Sequence, residues 1–213
     1  MDSLIAITAP ATSRALLTAA ELRAAAGVAA TDTTRDTELA AIGLTVADII
    51  SDWCGLAGDG ITPVTLRQET LTETFRLTCR KKPLILSRRF LGTVSIVEDD
   101  VALVAADFLI NAGAGLLTRL TSDDVATSWP AAKIVVTYQA GFAAVPTPLA
   151  DVAAEMVGRR AGAERDPLMK SERKEVPGVY TVDRSYWVDA AEATDITPDM
   201  AEKLSRYRSG VVW

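Results

Sequence analysis

The chain has 213 residues, a formal net charge of −6 and no histidine. The absence of histidine removes the commonest general base and the commonest zinc ligand. The negative charge disfavours a primary nucleic-acid binder, because sequence-independent binding depends on Lys and Arg contacts to phosphate. A chain of this length supports one good-sized hydrophobic core, or one domain with a long tail.

Neither the cysteines nor the apolar runs indicate secretion or a membrane. Cys54 and Cys79 lie far apart without CxxC spacing, which favours two buried free thiols over a disulfide. Residues 1–12 lack the basic and apolar regions of a signal peptide. The longest apolar runs, such as 101–106, are too short to span a bilayer. We therefore expect a soluble, non-secreted chain with no membrane partner.

Two helices are predicted in the first quarter of the chain, after a flexible N-terminal arm over residues 1–12. A short helix has Thr18 as its N-cap and Glu21 in the capping-box position, and Gly27 ends it. A longer helix is predicted over about residues 35–54, because apolar residues recur there at three- and four-residue steps. This apolar stripe comprises Leu39, Ile42, Val46, Ile49, Ile50 and Trp53.

From about residue 64 to residue 138 the apolar pattern changes to a period of two, which is typical of strands. In the first of these strands Leu71, Glu73 and Phe75 share one face. Short strands are predicted at 70–77, 83–86 and 94–97, and a last pair at 116–120 and 134–138. Glu98–Asp100 is predicted to be a turn. The pattern favours an antiparallel β-insertion between helices over a βαβ succession.

The C-terminal part is predicted to contain a closing helix, an extended arm and a terminal helix. Gly141 ends the last strand, and Thr147 and Pro148 suit the N-cap and N1 positions of a helix over about residues 148–163. The terminal helix follows Thr197. The predicted fold is α+β, with about four helices, an antiparallel β-insertion and an extended C-terminal arm. The predicted units are a flexible arm at 1–12, a helical and β domain at 13–163, and the C-terminal arm at 164–213.

The search for catalytic or metal-binding patterns leads to no site. Glu98–Asp100 and Asp123-Asp124 are acidic clusters, but neither has EF-hand spacing and both fall where turns are expected. The glycines after the second helix do not form a P-loop, and there is no GxSxG motif. We predict a protein that is not an enzyme, with no catalytic, cofactor-binding or metal-binding residues.

Basic residues flank the strand predicted at 83–86. Arg80-Lys81-Lys82 precede it and Arg88-Arg89 follow it. These side chains could contact phosphate or an acidic partner surface, and a solvated sheet edge guarded by charge is the favoured interpretation.

The tail is rich in aromatic residues. It holds Tyr180, Tyr186, Trp187, Tyr207 and Trp213, which are five of the twelve Phe, Trp and Tyr residues of the chain. The segment has too few aliphatic residues to build its own core, and aromatic residues on extended arms commonly insert into pockets of a partner. We therefore expect partner contacts here. The alternative, an arm that folds back over its own domain, stays open.

Several motifs follow one another in an order that resembles a known family. Trp129-Pro130 precedes an aliphatic strand that ends Tyr-x-Ala-Gly-aromatic at 138–142, and Val145-Pro146 then leads into a long helix. This order resembles the head–tail connector (adaptor) proteins of tailed bacteriophages and phage-like gene transfer particles. The strand at 94–97 is similar to part of the family's first hairpin, and Tyr207-Arg208 is similar to its closing Tyr-Arg.

The resemblance implies a structural virion protein that forms a twelve-subunit ring below the portal, lines the DNA channel and bridges the portal to a stopper or tail-side neck protein. DNA would pass through without sequence-specific binding, and assembly would take place in the host cytoplasm. The implied portal contacts are Tyr180, Tyr186, Trp187, Tyr207, Arg208 and Trp213. Residues 1–12 have no counterpart in the family. The alternative function is a non-viral oligomeric interaction scaffold, and the sequence leaves open whether the particle is an infectious phage or a gene transfer agent.

Overall fold

The structure, a computed structural model, describes residues 2–162, 169–174, 182–186 and 196–209. The helices in these ranges are α1 (Ala19–Ala25), α2 (Asp36–Trp53), α3 (Thr147–Ala161) and α4 (Pro198–Ser205). The strands are β1 (Asp2–Ala9), β2 (Glu69–Arg76), β3 (Leu84–Ile85), β4 (Leu91–Glu98), β5 (Val101–Ala102), β6 (Phe108–Asn111), β7 (Leu116–Leu120), β8 (Ala126–Thr127), β9 (Lys133–Ala140), β10 (Met169–Lys174) and β11 (Val182–Tyr186).

The strands form two main antiparallel sheets and one separate hairpin. The first sheet has the order β1-β2-β9-β4-β5, and in the second β3, β6 and β8 all pair with β7. Strands β10 and β11 pair with each other. The predicted α+β class and antiparallel β-insertion are therefore confirmed. The strands predicted as the last pair, β7 and β9, lie in different sheets.

Alternating side chains of the first sheet meet the second sheet in one buried cluster, which we call the β core. Leu71 of β2 lies opposite Tyr138 of β9, and Phe75 lies opposite Ile134. Trp129 is fully buried among them, and its indole N–H donates to the carbonyl of Leu117 at 3.1 Å. The β-core side chains that are at most 1% exposed are Leu71, Phe75, Leu84, Leu86, Ile96, Leu117, Trp129, Ile134, Val136 and Tyr138.

The four helices enclose a second cluster, the helical core. Thr18 and Glu21 form the predicted capping box of α1, and the apolar stripe of α2 provides Leu39, Val46 and Ile50 as buried residues. The helical core comprises Leu16, Leu17, Leu22, Leu39, Val46, Ala47, Ile50, Cys54, Leu66, Leu149, Val152, Ala153, Met156, Val157, Met200, Leu204 and Tyr207.

The predicted flexible arm at the N-terminus is wrong for residues 2–9, which form β1. This strand pairs with β2 along its length, with Ile5 opposite Glu73 and Ile7 opposite Leu71. Ile5 and Ile7 also pack against the β core. The Ala- and Thr-rich composition of this segment did not indicate a strand. The strand forms because pairing with the otherwise open edge of β2 satisfies its backbone groups.

Two local predictions, the start of α3 and the burial of Cys79, differ from the structure. Helix α3 begins one residue earlier than predicted, with Pro146 rather than Thr147 at the N-cap and no side-chain cap. Cys54 is buried as predicted, whereas Cys79 is exposed in the loop after β2. That loop lies at the end of the sheet, where the β core no longer covers it.

The predicted C-terminal arm contains α4, which packs on the domain. Thr197 caps α4 and accepts a hydrogen bond from the backbone N–H of Met200, as the sequence predicts. Met200 and Leu204 are completely buried in the helical core. For residues 196–209, the fold-back alternative therefore describes this structure.

Candidate interaction surfaces

The sequence-predicted portal contacts fall into different places in the structure. Tyr207 is only 5% exposed and belongs to the helical core. Tyr186 ends strand β11, where it pairs with Met169. Tyr180, Trp187 and Trp213 lie outside the described residues. The structure thus buries Tyr207 in the domain, whereas its neighbour Arg208 is exposed.

Three rings hold the C-terminal segment against the domain. The Tyr207 ring lies 5.7 Å from Phe142, edge to face, and 6.0 Å from Phe90, measured between ring centroids. Phe90 and Phe142 are 4.8 Å apart. These separations are within the range at which aromatic pairs stabilise each other beyond their burial. We call Phe90, Phe142 and Tyr207 the aromatic clamp.

Polar contacts reinforce the aromatic clamp. The Arg208 guanidinium lies 5.0 Å from the ring centroid of Trp53, and the Arg208 carbonyl accepts a hydrogen bond from Arg89 at 2.8 Å. The backbone N–H of Ser209 donates to the carbonyl of Cys54 at 2.7 Å. The C-terminal segment is therefore held both to the end of α2 and to the loop before β4.

The backbone under the clamp adopts conformations that only tertiary packing maintains. Phe90 has a φ of 58°, in the left-handed region that costs a non-glycine residue of order 1 kcal/mol. Gly141 has a φ of 91°, and a Cβ there would lie 2.5 Å from the carbonyl oxygen of Arg67. Glycine is therefore required at 141. The sequence signal Gly141-Phe142 marked the end of a strand, but it did not indicate a clamp.

A buried polar cluster lies beneath the clamp and crosses from the first sheet to the loop before β4. Glu73 Oε1 accepts hydrogen bonds from the Tyr138 hydroxyl at 2.6 Å and from the Ser87 N–H at 2.8 Å. Arg88 donates to Glu69 and to the carbonyl of Thr65, both at 3.2 Å. The sequence prediction that Arg88 guards a solvated edge is wrong, because Arg88 is 5% exposed and paired with Glu69.

Burial governs the ionisation of this cluster. Desolvation raises the pKa of Glu73 despite the hydrogen bonds from Tyr138 and Ser87, and it raises the pKa of Glu69 despite the Arg88 charge. Burial also raises the pKa of the Tyr138 hydroxyl and lowers that of Arg88. Glu69 Oε1, Glu73 Oε2 and Arg88 Nε have no hydrogen-bond partner within the described residues.

The polar cluster has no room for a substrate. The cavity beside Arg88, which Phe90, Gly141 and Tyr207 also line, has a volume of about 20 Å³, enough for about one water molecule. The residues link the two cores and hold the loop before β4. We assign them a structural role.

The acidic clusters singled out in the sequence are turns, as predicted. Asp99 and Asp100 have φ values of 44° and 67° between β4 and β5, and Asp124 has a φ of 59° before β8. In the part of the chain that the structure describes, no group of three His, Cys, Asp or Glu side chains could hold a metal ion. No helix among those residues is long and apolar enough to cross a membrane.

Within the described residues, two apolar surfaces and one basic surface are exposed. A groove of about 280 Å³ runs between residues 13–22 and α2, and Leu17, Leu22, Leu39 and Leu44 contribute to its lining. The outer face of the second sheet exposes Ile85 and Leu109. The loop at residues 76–82, which we call the basic loop, exposes Arg76, Arg80, Lys81 and Lys82.

Comparisons with known proteins support one fold. The sequence matches no protein-family model and no curated protein. A chain in the structure "Neck of empty GTA particle computed with C6 symmetry" is 15% identical, with a TM-score of 0.56 over 99% of this chain and 97% of that chain. A chain in "Virion of native gene transfer agent (GTA) particle" is also 15% identical, with a TM-score of 0.54 over 98% of this chain and 97% of that one. The resemblance to neck proteins is therefore confirmed at the level of the fold, which this chain shares with a component of a gene transfer agent neck.

Proposed function

We propose that this chain is a structural head–tail connector (adaptor) protein in the neck of a tailed phage or a phage-like gene transfer particle. The observation that carries the proposal is the likeness of fold to a chain of such a neck along nearly the whole length of both chains. A shared domain inside a larger protein would match only in part. The proposed role is mechanical, so it requires no catalytic residue and no cofactor.

We place twelve copies in a ring below the portal, through which DNA passes. Twelve copies are compatible with the C6 symmetry of the similar neck. The outer side of α2 is exposed along Ala40, Ala41, Leu44 and Thr45, and the small side chains of Ala40, Ala41 and Thr45 permit close approach of a neighbouring helix. The apolar groove beside α2 extends the same surface. Ring packing would remove this surface from water.

The portal contact is proposed for the aromatic residues of the tail. Tyr180, Tyr186, Trp187 and Trp213 are the candidates for direct insertion into a portal pocket. Tyr207 of the aromatic clamp and the adjacent Arg208 would contribute to portal binding indirectly, because they determine where the C-terminal segment leaves the helical core. A stopper or tail-side neck protein would bind the opposite end of the ring.

The test is electron microscopy of particles together with co-purification of the chain with its portal. Trp187→Ala and Trp213→Ala are each expected to weaken portal binding about thirtyfold, since a buried Trp anchor is worth about 2 kcal/mol or more. Trp187→Phe is the matched control, because it keeps an aromatic ring. Particles of the alanine variants should have filled or unstable heads that lack tails.

Two results would contradict the proposal. One is a wild-type chain located away from the neck, or present there as single copies rather than a ring. The other is a chain that assembles without portal and does not bind it, which would favour the alternative of a non-viral oligomeric scaffold. Point substitutions are preferable to removing residues 180–213, because that deletion also removes Met200, Leu204 and Tyr207 from the helical core.

A further inference from the structure

Residues 74–97 contain six Arg and Lys residues and no Asp or Glu, in a chain whose net charge is −6. Two of the six lie outside the exposed loop. Arg88 is buried and paired with Glu69, and Arg89 donates to the carbonyls of Gly113 and Arg208. The other four are the exposed cations of the basic loop, and they require a different explanation.

The four cations of the basic loop are exposed, although the Lys82 ammonium also donates to the carbonyl of Ala126 at 3.3 Å. None of them takes part in the ion pairs formed within the described residues. The nearby Lys133, which pairs with Arg76 across the strands, differs in this respect because its ammonium lies 3.9 Å from Asp100. Four cations thus lie at and beyond the end of β2, where Asp2 of β1 stands opposite Arg76.

The basic loop is held at both ends, so that its charges stand on a rigid base. Leu77 is buried, and its N–H donates to the carbonyl of Ala132 at 3.0 Å. Lys81 and the buried Trp129 exchange two backbone hydrogen bonds, of 2.8 and 3.2 Å. A partner would therefore meet these charges with little loss of backbone entropy.

We propose that the basic loop binds the phosphate backbone of double-stranded DNA through Arg76, Arg80, Lys81 and Lys82. In its biological setting this rests on the proposed function, since it assigns the loop to the DNA that crosses the neck. Four phosphate contacts make binding weak and strongly dependent on salt. Such a contact steadies a moving duplex without stopping it.

The composition of the basic loop favours a nucleic acid over an acidic protein. Protein interfaces are built around buried apolar or aromatic anchors. Between Arg76 and Pro83, the apolar Leu77 points into the β core, and the exposed side chains are Thr78, Cys79 and the cations. Contacts to phosphate need only charge and donors, and carry no sequence information.

The test is an NMR titration of the isolated chain with a short DNA duplex at several salt concentrations, a method that detects weak binding. We expect shifts of backbone amides confined to the basic loop and its neighbours. The logarithm of the binding constant should fall with the logarithm of salt concentration with a slope of about −3 to −4 for four contacts. Arg80→Ala/Lys81→Ala should weaken binding at least about tenfold and reduce the slope by about 2.

The matched control is Lys203→Ala/Arg206→Ala, which removes the same charge from exposed positions in and just after α4. It should bind DNA as the wild-type chain does. Absence of shifts in the basic loop at low salt, or equal weakening by both double variants, would overturn the proposal. Polyglutamate that shifts the same amide resonances and binds more tightly than DNA would also overturn the proposal, because it would indicate an acidic protein partner.

Cys79 supplies an independent readout inside the basic loop. It is exposed, whereas Cys54 is buried and its pKa is raised by burial to about 12. DNA should slow the reaction of Cys79 with a neutral maleimide, and added salt should restore the rate. An unchanged rate at saturating DNA would contradict binding at the loop. These experiments use the isolated chain, so they test DNA binding separately from the position of the chain in the neck. DNA binding can be absent when the chain is found in the neck, and it can be present when the chain is found elsewhere.

Discussion

The two cores of this protein are closed in different ways. The β core uses residues between Leu71 and Ala140, one continuous stretch of the chain. The helical core joins Leu16 near one end of the chain to Tyr207 near the other. Apart from Ile5 and Ile7 of β1, which pack against it, the β core therefore needs only the middle of the chain, whereas the helical core also requires the C-terminal segment.

This difference assigns different tasks to the two halves. The β core provides a base for the basic loop, whereas the helical core carries the exposed face of α2 and receives the C-terminal segment. In a ring, a tail held by the aromatic clamp would couple its own position to the helical half and, through Phe90 and Phe142, to the ends of β4 and β9. The predictions below test how independent the two cores are.

The largest effect is expected for Trp129→Ala in the β core. Trp129 is completely buried and hydrogen-bonded to Leu117, so its removal leaves a cavity and should lower the free energy of unfolding by about 3–5 kcal/mol. Urea denaturation measures this loss. Ile61→Ala is the control, because Ile61 is 90% exposed and should change stability by less than about 0.5 kcal/mol. A loss for Trp129→Ala no larger than that of the control would contradict the assigned core.

Tyr207→Ala should break the helical core without breaking the β core. We expect a loss of about 3 kcal/mol, because the ring contacts with Phe90 and Phe142 disappear. Hydrogen exchange should show lost protection in α4 and retained protection in β9. Tyr207→Phe keeps the ring and should have a small effect. Equal loss of protection in β9 would mean that the two cores unfold as one unit.

Glu73→Gln should change how stability depends on pH. Burial raises the pKa of Glu73 in the folded protein, so the folded state favours the protonated form. The contribution of Glu73 to the stability of the wild-type chain should be largest below the unfolded-state pKa of about 4.3. It should be lost as the pH rises through the folded-state pKa. The variant lacks this loss, and its stability relative to wild type should increase with pH.

Urea denaturation of both proteins between about pH 4 and pH 8 measures that difference, across the window in which raised carboxyl pKa values act. Glu202→Gln, which makes the same substitution on the exposed side of α4, is the control. A Glu73→Gln difference that stays constant, or that decreases as the pH rises, would show that Glu73 is ionised at least as readily in the folded state as in the unfolded one.

The smallest effect is expected at Asp59, outside both cores. Hydrogen bonds from the backbone N–H groups of Thr62 and Ile61 lower the pKa of Asp59 to about 2. Its contribution is therefore present above the unfolded-state pKa and is lost as the pH falls through about 2. Asp59→Ala should speed hydrogen exchange at Ile61 and Thr62 and leave both cores protected. An NMR titration in which Asp59 has an ordinary pKa would contradict this interpretation.

Periodicity and capping in the sequence predicted much of the fold. The alternation of Leu71 and Phe75 identified β2, the stripe of α2 was located within one residue at each end, and Thr18 and Thr197 cap the predicted helices. These signals act within a few residues of one another. The order of the motifs from Trp129 onward resembles a known family, and this resemblance also indicated the overall architecture.

The candidate surfaces were harder to predict because burial depends on distant parts of the chain. Arg80 and Arg88 look alike in the sequence, but only Arg88 meets a buried carboxylate, Glu69, when the loop before β4 packs on β2. Tyr207 resembles an anchor for a partner until Phe90 and Phe142 are brought beside it. Composition alone cannot separate such residues.

The sequence by itself determined the four helices and the strands β2, β4, β7 and β9 to within a few residues, because backbone propensity, capping and side-chain periodicity are local; it did not reveal β1. It also determined the excess of cations in the basic loop. Only the tertiary structure decided the strand order β1-β2-β9-β4-β5, the burial of Glu73 and Arg88, and the closure of the helical core by Tyr207. Each of these depends on which surfaces lose water together, and that free energy is shared among residues far apart in the chain.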